Sequence, residues 1–237
     1  MTELKNLKLF STHPHPCGYL EEEEATTVFV DPRLNLNADI YNSLSRIGFR
    51  RSGKHIYRPN CSQCQACVPL RINVANFTPS RGQKRCAKRN ADLDIEIVKS
   101  INSDEHYALY ENYIAHRHSD GDMYPPSRAQ YSEFLCSTWG ITRYVEFRNP
   151  EGNLIAIAVC DMLQDGISAI YTFFDPCQHQ RSLGAFAILF QISWAKQLNL
   201  SFVYLGYWIK RCEKMRYKTD YKPYELLIDN HWIESEN

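Results

Sequence analysis

Thr142-Arg-Tyr-Val-Glu-Phe-Arg148, Leu154-Ile-Ala-Ile-Ala-Val-Cys-Asp-Met162 and Ile167-Ser-Ala-Ile-Tyr-Thr-Phe-Phe174 are three strand-like runs in succession. The turn signals Glu151-Gly152 and Asp165-Gly166 stand between them, which is the pattern of a meander. Asp175-Pro176 ends the third run. A helix is expected from about Arg181 to Leu198, apolar on most sides and therefore buried. Phe202-Val-Tyr-Leu-Gly-Tyr207 then supplies a further strand.

Upstream, a helix with Tyr107, Tyr110, Tyr113 and Ile114 on one face leads into the loop Asp120–Pro126. Ser127-Arg-Ala-Gln130 has the capping-box form that opens another helix. A meander feeding a β–α–β unit is the element order of the Gcn5-related N-acetyltransferase superfamily, so residues 101–237 are expected to form a domain of that kind. Residues 1–100 read as a smaller, cysteine-containing α+β domain. It offers a strand at Thr26–Val30 and a helix capped by Asn37, with Ile40, Tyr41, Leu44 and Ile47 on one face and Gly48 as its stop. Short strands near Lys54–Arg58 and Val68–Val74 flank a cysteine loop, and a basic helix at Arg81–Arg89 precedes the alternating Leu93–Ile97. The fold class is α+β throughout. Acetyltransferases open the buried helix on Arg/Gln-x-x-Gly-x-Gly/Ala, whose backbone N–H groups hold a pyrophosphate. Here the run is Arg181-Ser-Leu-Gly184-Ala-Phe186, with Phe186 where a small residue is needed. That opposes the rival reading of a coenzyme A-dependent N-acetyltransferase.

The charge is balanced in sum and uneven in place. The chain carries 27 Lys+Arg and 27 Asp+Glu, yet Ile40–Ala91 holds eleven Lys or Arg and no acid. Arg50, Arg51, Arg58, Arg71, Lys84, Arg85, Lys88 and Arg89 belong to this stretch, interleaved with Phe49, Tyr57 and Phe77 as candidates for stacking on unpaired bases. A second basic group includes Lys210, Arg211, Lys214, Arg216, Lys218 and Lys222, with Glu213 and Asp220 as its acids. Scattered Lys and Arg usually form a solvated face, but a charge this unbalanced points to a polyanion, and a phosphate backbone is the commonest one. No 18-residue apolar run suggests a membrane span. Met1-Thr-Glu-Leu-Lys lacks the apolar core of a signal peptide, and nine irregularly spread cysteines fit reduced thiols in the cytoplasm.

Cys61-Ser-Gln-Cys64-Gln-Ala-Cys67 has metal-ligand spacing but needs one more ligand for a tetrahedral zinc or an iron–sulfur cluster. Cys17 and Cys86 are the candidates, Cys17 in the loop-like Pro16-Cys17-Gly18-Tyr19. The bland alternative is reduced thiols packed under a basic loop. No Ser-His-Asp, His-Glu-x-x-His or P-loop pattern occurs, and His116 and His118 are read as structural.

Several further motifs occur together: Pro16-Cys17-Gly-Tyr-Leu20, Arg50-Arg-Ser-Gly53, Tyr57-Arg-Pro59, Cys67-Val-Pro-Leu-Arg71, Arg89-Asn-Ala-Asp92, Tyr171-x-Phe-Phe-Asp-Pro176 and Leu205-Gly-Tyr-Trp-Ile209. With the cysteine triplet they resemble the aminoacyl-tRNA–protein transferases over nearly the whole chain, and in particular the bacterial aspartate/glutamate leucyltransferases. The resemblance implies transfer of leucine from leucyl-tRNA to proteins beginning with Asp or Glu, marking them for degradation. An arginyl donor and a non-enzymatic zinc-knuckle RNA-binding protein are the further alternatives. The arginyl relatives of eukaryotes carry Cys-x-x-Cys where this chain has Cys17-Gly-Tyr-Leu20, so one ligand of a metal centre like theirs is missing. An aminoacyl ester is already activated, so the chemistry requires no cofactor. The acceptor's acidic side chain calls for Arg or Lys, and Arg50, Arg58 and Arg71 are the candidates. Tyr19, Tyr57, Asp175 and Tyr207 are the hydrogen-bonding candidates for the reaction site, and no general base stands out.

Overall fold

The computed structural model describes residues 7–34, 37–121, 123–136 and 140–235. The chain divides into two compact units, one of residues 1–78 with 204–237 and the other of residues 79–203. The division differs from the expected boundary at residue 100. The basic helix and the strand after it belong with the meander, and the C-terminal segment returns to the first unit.

The first unit opens with β1 (Leu9–Ser11), β2 (His15–Pro16), β3 (Glu24–Ala25) and β4 (Thr27–Val30). Helix α1 (Ala38–Arg46) starts where Asn37 accepts the Ile40 N–H at 2.8 Å, as its side chain predicts. Then come β5 (Arg50–Ser52), β6 (His55–Pro59) and β7 (Val68–Asn73). Strands β5 and β6 form a hairpin pairing Ser52 with His55, so Gly53-Lys54 is a two-residue turn. Gly53 has φ +57°, a conformation glycine takes without steric cost. These strands make a four-stranded sheet in the order β1-β4-β6-β5, and Tyr41, Leu44, Phe49 and Ile56 are buried.

In the second unit, α2 (Arg81–Arg89) is held by a full capping box between Ser80 and Gln83. Its buried Cys86 faces the main chain at Arg181 and Ser182, where the later helix α5 begins. After β8 (Asp94–Val98), Ser103 caps α3 (Asp104–Arg117) and Ser127 caps α4 (Arg128–Leu135). The meander follows as β9 (Thr142–Arg148), β10 (Leu154–Met162) and β11 (Gly166–Phe174). All pairings in β11-β10-β9-β8 are antiparallel. Helices α3 and α4 lay Tyr107, Tyr110, Ile114 and Tyr131 against Ile157, Val159 and Phe173 of the sheet. Tyr110 meets Phe173 edge-on at 5.6 Å and 86°, a geometry worth about 0.5–1.5 kcal/mol beyond burial. A 3₁₀ turn over Pro176–Arg181 ends at Ser182 in the left-handed region, and α5 (Leu183–Gln197) begins there, shorter than the helix expected from Arg181 to Leu198. Phe186 packs edge-on against Phe147 at 5.6 Å, so the position that would need a small residue for a pyrophosphate belongs to the core.

Strand β12 (Phe202–Trp208) leaves the second unit, and from Tyr204 onward it belongs to the first. A 3₁₀ segment (Glu213–Asp220) and the hairpin of β13 (Tyr224–Ile228) and β14 (His231–Glu234) complete the chain. Strand β13 pairs antiparallel with β7, placing Arg71 opposite Glu225. Among the described residues no helix is long and apolar enough to cross a membrane.

Candidate active site

Tyr207 of β12 stands at the centre of a group of polar side chains in the first unit. The strand bends at Gly206, whose φ is +79°, and the space a Cβ would fill there is closed by Arg50, with Nε at 3.2 Å. The Arg50 guanidinium therefore lies against bare backbone, a close approach only glycine permits. The Tyr207 hydroxyl donates to the Gly48 carbonyl at 2.7 Å and lies 3.3 Å from the Tyr57 carbonyl. Burial, then Tyr57, hold its pKa well above the ordinary phenol value, while Arg50 and Arg58 oppose this. Near neutral pH Tyr207 is a donor and not a base. Burial likewise raises Tyr57.

Lys218, from the 3₁₀ segment, donates Nζ to the Tyr207 carbonyl at 2.5 Å and is only 9% exposed. Burial first, then the like charge of Arg50, push its pKa down to about 8, and the Cys212 thiol acts in the opposite direction. Arg58 of β6 stacks over Phe49 at 5.2 Å and donates Nη1 to the Ile47 carbonyl at 3.3 Å. Arg58 and Tyr207 line a cavity of about 360 Å³. Gly48, at φ +88°, lets the end of α1 press against Pro69 and Leu227, because an added Cβ would lie only 2.9 Å from Pro69 Cγ.

Cys17, Cys61, Cys64 and Cys67 all line the same cavity, so the sequence grouping is spatial. Among the described residues no three Cys, His, Asp or Glu gather to hold an ion. Cys61 instead exchanges contacts with the Thr26 backbone, at 3.4 Å from its nitrogen and 3.7 Å from its oxygen. Burial, and then the thiols of Cys17, Cys61, Cys64 and Cys212, push the Cys67 thiol up to about 12. All nine cysteines are free. Tyr19 is 54% exposed and close enough to Tyr57, Cys67, Cys212 and Cys17 to feel them electrostatically.

Other sequence candidates lie elsewhere. Arg71 is buried in an ion pair with Glu225, and Arg51 donates to the Gly53 carbonyl at 3.0 Å, closing the β5–β6 turn. Both have structural partners, which sequence alone does not separate from substrate contacts. Asp175 belongs to the second unit, where it caps the 3₁₀ turn by accepting the Cys177 N–H at 3.0 Å. Lys84, Arg85, Lys88 and Arg89 are all exposed on α2, and Arg89 also donates to the Gln180 carbonyl. Lys214 is exposed in the 3₁₀ segment. Of the aromatics proposed for base stacking, Phe49 is buried under Arg58 and Phe77 stacks on Tyr221 at 6.4 Å. The cavity wall formed by Leu227, Ile228 and Asp229 has no counterpart in the sequence reading, because the hairpin carrying it was not expected.

The sequence model of a family described as "Arginine-tRNA-protein transferase, N terminus" matches residues 15–85, and that for the C terminus matches residues 105–228. An aspartate/glutamate leucyltransferase of Saccharophagus degradans is 58% identical over 233 residues, covering 98% of this chain and 99% of the relative. One from Teredinibacter turnerae is 57% identical, with 98% and 96% covered. Among solved structures, a crystal structure of FemX is similar at TM-score 0.48 and 7% identity, over 90% of this chain and 82% of that one.

Proposed function

We infer the reaction from kinship: the chain belongs to the aminoacyl-tRNA–protein transferase family. It transfers leucine from leucyl-tRNA to the α-amine of proteins that begin with Asp or Glu, which marks them for degradation. The observation that carries this reading is identity above half, over nearly the full length, with relatives named for that transfer. In the reaction the α-amine nitrogen attacks the leucyl ester carbonyl. The ester bond to the tRNA ribose breaks, and the amine's proton ends on the ribose oxygen. The ester is already activated, so the requirement is positioning and not energy input. An α-amino group of pKa about 7.7–8.0 is partly neutral at pH 7, which relaxes the need for a strong base.

The cationic group of Arg50, Arg58 and Lys218 around Tyr207 supports an acceptor site for an acidic residue. Tyr207 and Tyr57 contribute its polar wall, with Tyr19 beside them. The exposed Lys84, Arg85 and Lys88 of α2, with Lys214, support contacts to tRNA phosphates. A chain of free thiols suits the cytoplasm.

The test offers purified protein leucyl-tRNA or arginyl-tRNA, with peptides beginning with Asp, Glu or Ala, in the absence of ATP and coenzyme A. Leucine-extended Asp and Glu peptides are expected. Transfer of arginine alone, or equal rates on Asp and Ala, would overturn the reading.

A further inference from the structure

We propose that the cavity of the first unit receives the first residue of the acceptor protein, and that Arg58 reads its side-chain carboxylate; this rests on leucine transfer to acidic N-termini. The sequence offered Arg50, Arg58 and Arg71 for that role without dividing them. The structure commits Arg71 to Glu225 and seats Arg50 against Gly206. Arg58 alone of the three lines the cavity. Its guanidinium stacks over the Phe49 ring, and one of its N–H groups is fixed by the Ile47 carbonyl. Among the described residues no ion pair takes up its charge, so its remaining donors suit a bidentate carboxylate.

The remaining charges of the cavity say what kind of anion enters. Glu23, Glu24 and Asp229 also line it, and Glu23 is tied to Arg211 at 2.7 Å. Carboxylates at the lining disfavour a run of phosphates, which carries no compensating positive end, and so argue against the tRNA backbone as occupant. A free N-terminal Asp or Glu is dipolar, with a positive amino end and a negative side chain. A cavity with one guanidinium and several carboxylates complements both ends. Its volume of about 360 Å³ falls at the small end of ligand cavities, which run from about 300 to 1,000 Å³. The leucyl end of the donor is the competing occupant. It would suit the apolar wall at Ile47 but leave the Arg58 charge without a counter-charge as water is displaced, a costly arrangement.

The experiment measures kcat/KM with leucyl-tRNA for peptides beginning with Asp and with its neutral isostere Asn, using wild type, Arg58→Gln and Arg58→Lys. A desolvated charge pair of this kind predicts an Asp-over-Asn preference of about 10²-fold in the wild type. Arg58→Gln should bring that ratio close to unity by raising the KM for the Asp peptide, with the KM for leucyl-tRNA unchanged, and Arg58→Lys should keep part of it. The ratio is taken within each variant, so it does not depend on how much of the variant is folded. An unaltered ratio in Arg58→Gln would overturn the assignment. A raised KM for leucyl-tRNA with the ratio intact would overturn it in favour of the donor's leucyl end. Failure of the wild type to extend either peptide would strike at the reaction itself, a result distinct from an unaltered ratio.

Discussion

Replacing Arg71 by Met should unfold the first unit more readily without touching substrate recognition. Arg71 Nε donates to Glu225 Oε2 at 2.6 Å, and Nη2 lies 2.6 Å from the same oxygen. Nη1 lies 3.3 Å from the Tyr204 hydroxyl, and the guanidinium sits 4.2 Å above the Trp232 ring. Both charged side chains are 11% exposed. Methionine keeps much of the stem and its packing on Trp232, but it leaves the Glu225 carboxylate buried without its counter-charge. Removing one partner of a buried pair costs about 3–5 kcal/mol. At roughly 2–4 °C per kcal/mol for a chain of this size, the thermal midpoint should fall by about 6–20 °C.

Arg71→Met combined with Glu225→Leu should recover most of that loss, because replacing both ions by apolar groups removes the stranded charge. Circular dichroism melts of the wild type, both single variants and the double variant give the coupling directly. Leucine transfer measured well below the lowered midpoint should show KM values close to wild type for peptide and leucyl-tRNA. A variant that melts like the wild type yet loses transfer would refute the reasoning and return Arg71 to the substrate.

Lys84→Glu, Arg85→Glu and Lys88→Glu together should flatten the salt dependence of tRNA binding, lowering the log–log slope by about 0.7–0.9 for each phosphate no longer neutralised. Arg89→Glu should instead lower stability, since its guanidinium holds the Gln180 carbonyl; an unchanged slope in the triple variant would place the phosphate surface elsewhere. Lys218 falls from 10.5 to about 8 on folding, so between those values the unfolded chain binds one more proton than the folded one. Its contribution to stability therefore rises with pH across that window, by at most about 1.4 kcal/mol per unit, and is least favourable below about pH 8. Urea midpoints at pH 7.5 and 9.5 should show wild type gaining on Lys218→Met, and parallel pH profiles would count against a depressed lysine.

Local rules made much of the second unit legible. The runs expected at Thr142–Arg148 and Leu154–Met162 are strands with those bounds, because period and turn chemistry are properties of neighbouring residues. Asn37 and Ser127 cap helices by the same short-range logic. The hairpin β13–β14 escaped notice because its place is fixed by pairing with β7, far back in the chain, and the basic run before it reads as surface. The candidate site shows the same limit more sharply. Sequence could list cations in one acid-free stretch, but Arg50, Arg51, Arg58 and Arg71 share a residue type and a neighbourhood. What separates them is a partner: Gly206 for Arg50, the Gly53 carbonyl for Arg51 and Glu225 for Arg71. Two of those partners lie on the far side of the chain, as does the Tyr207 hydroxyl that holds Gly48 beside the cavity. A charge becomes available for a substrate when the fold turns it toward a cavity, and of these four only Arg58 lines one. That is a property of long-range pairing, and in this chain it singles out Arg58.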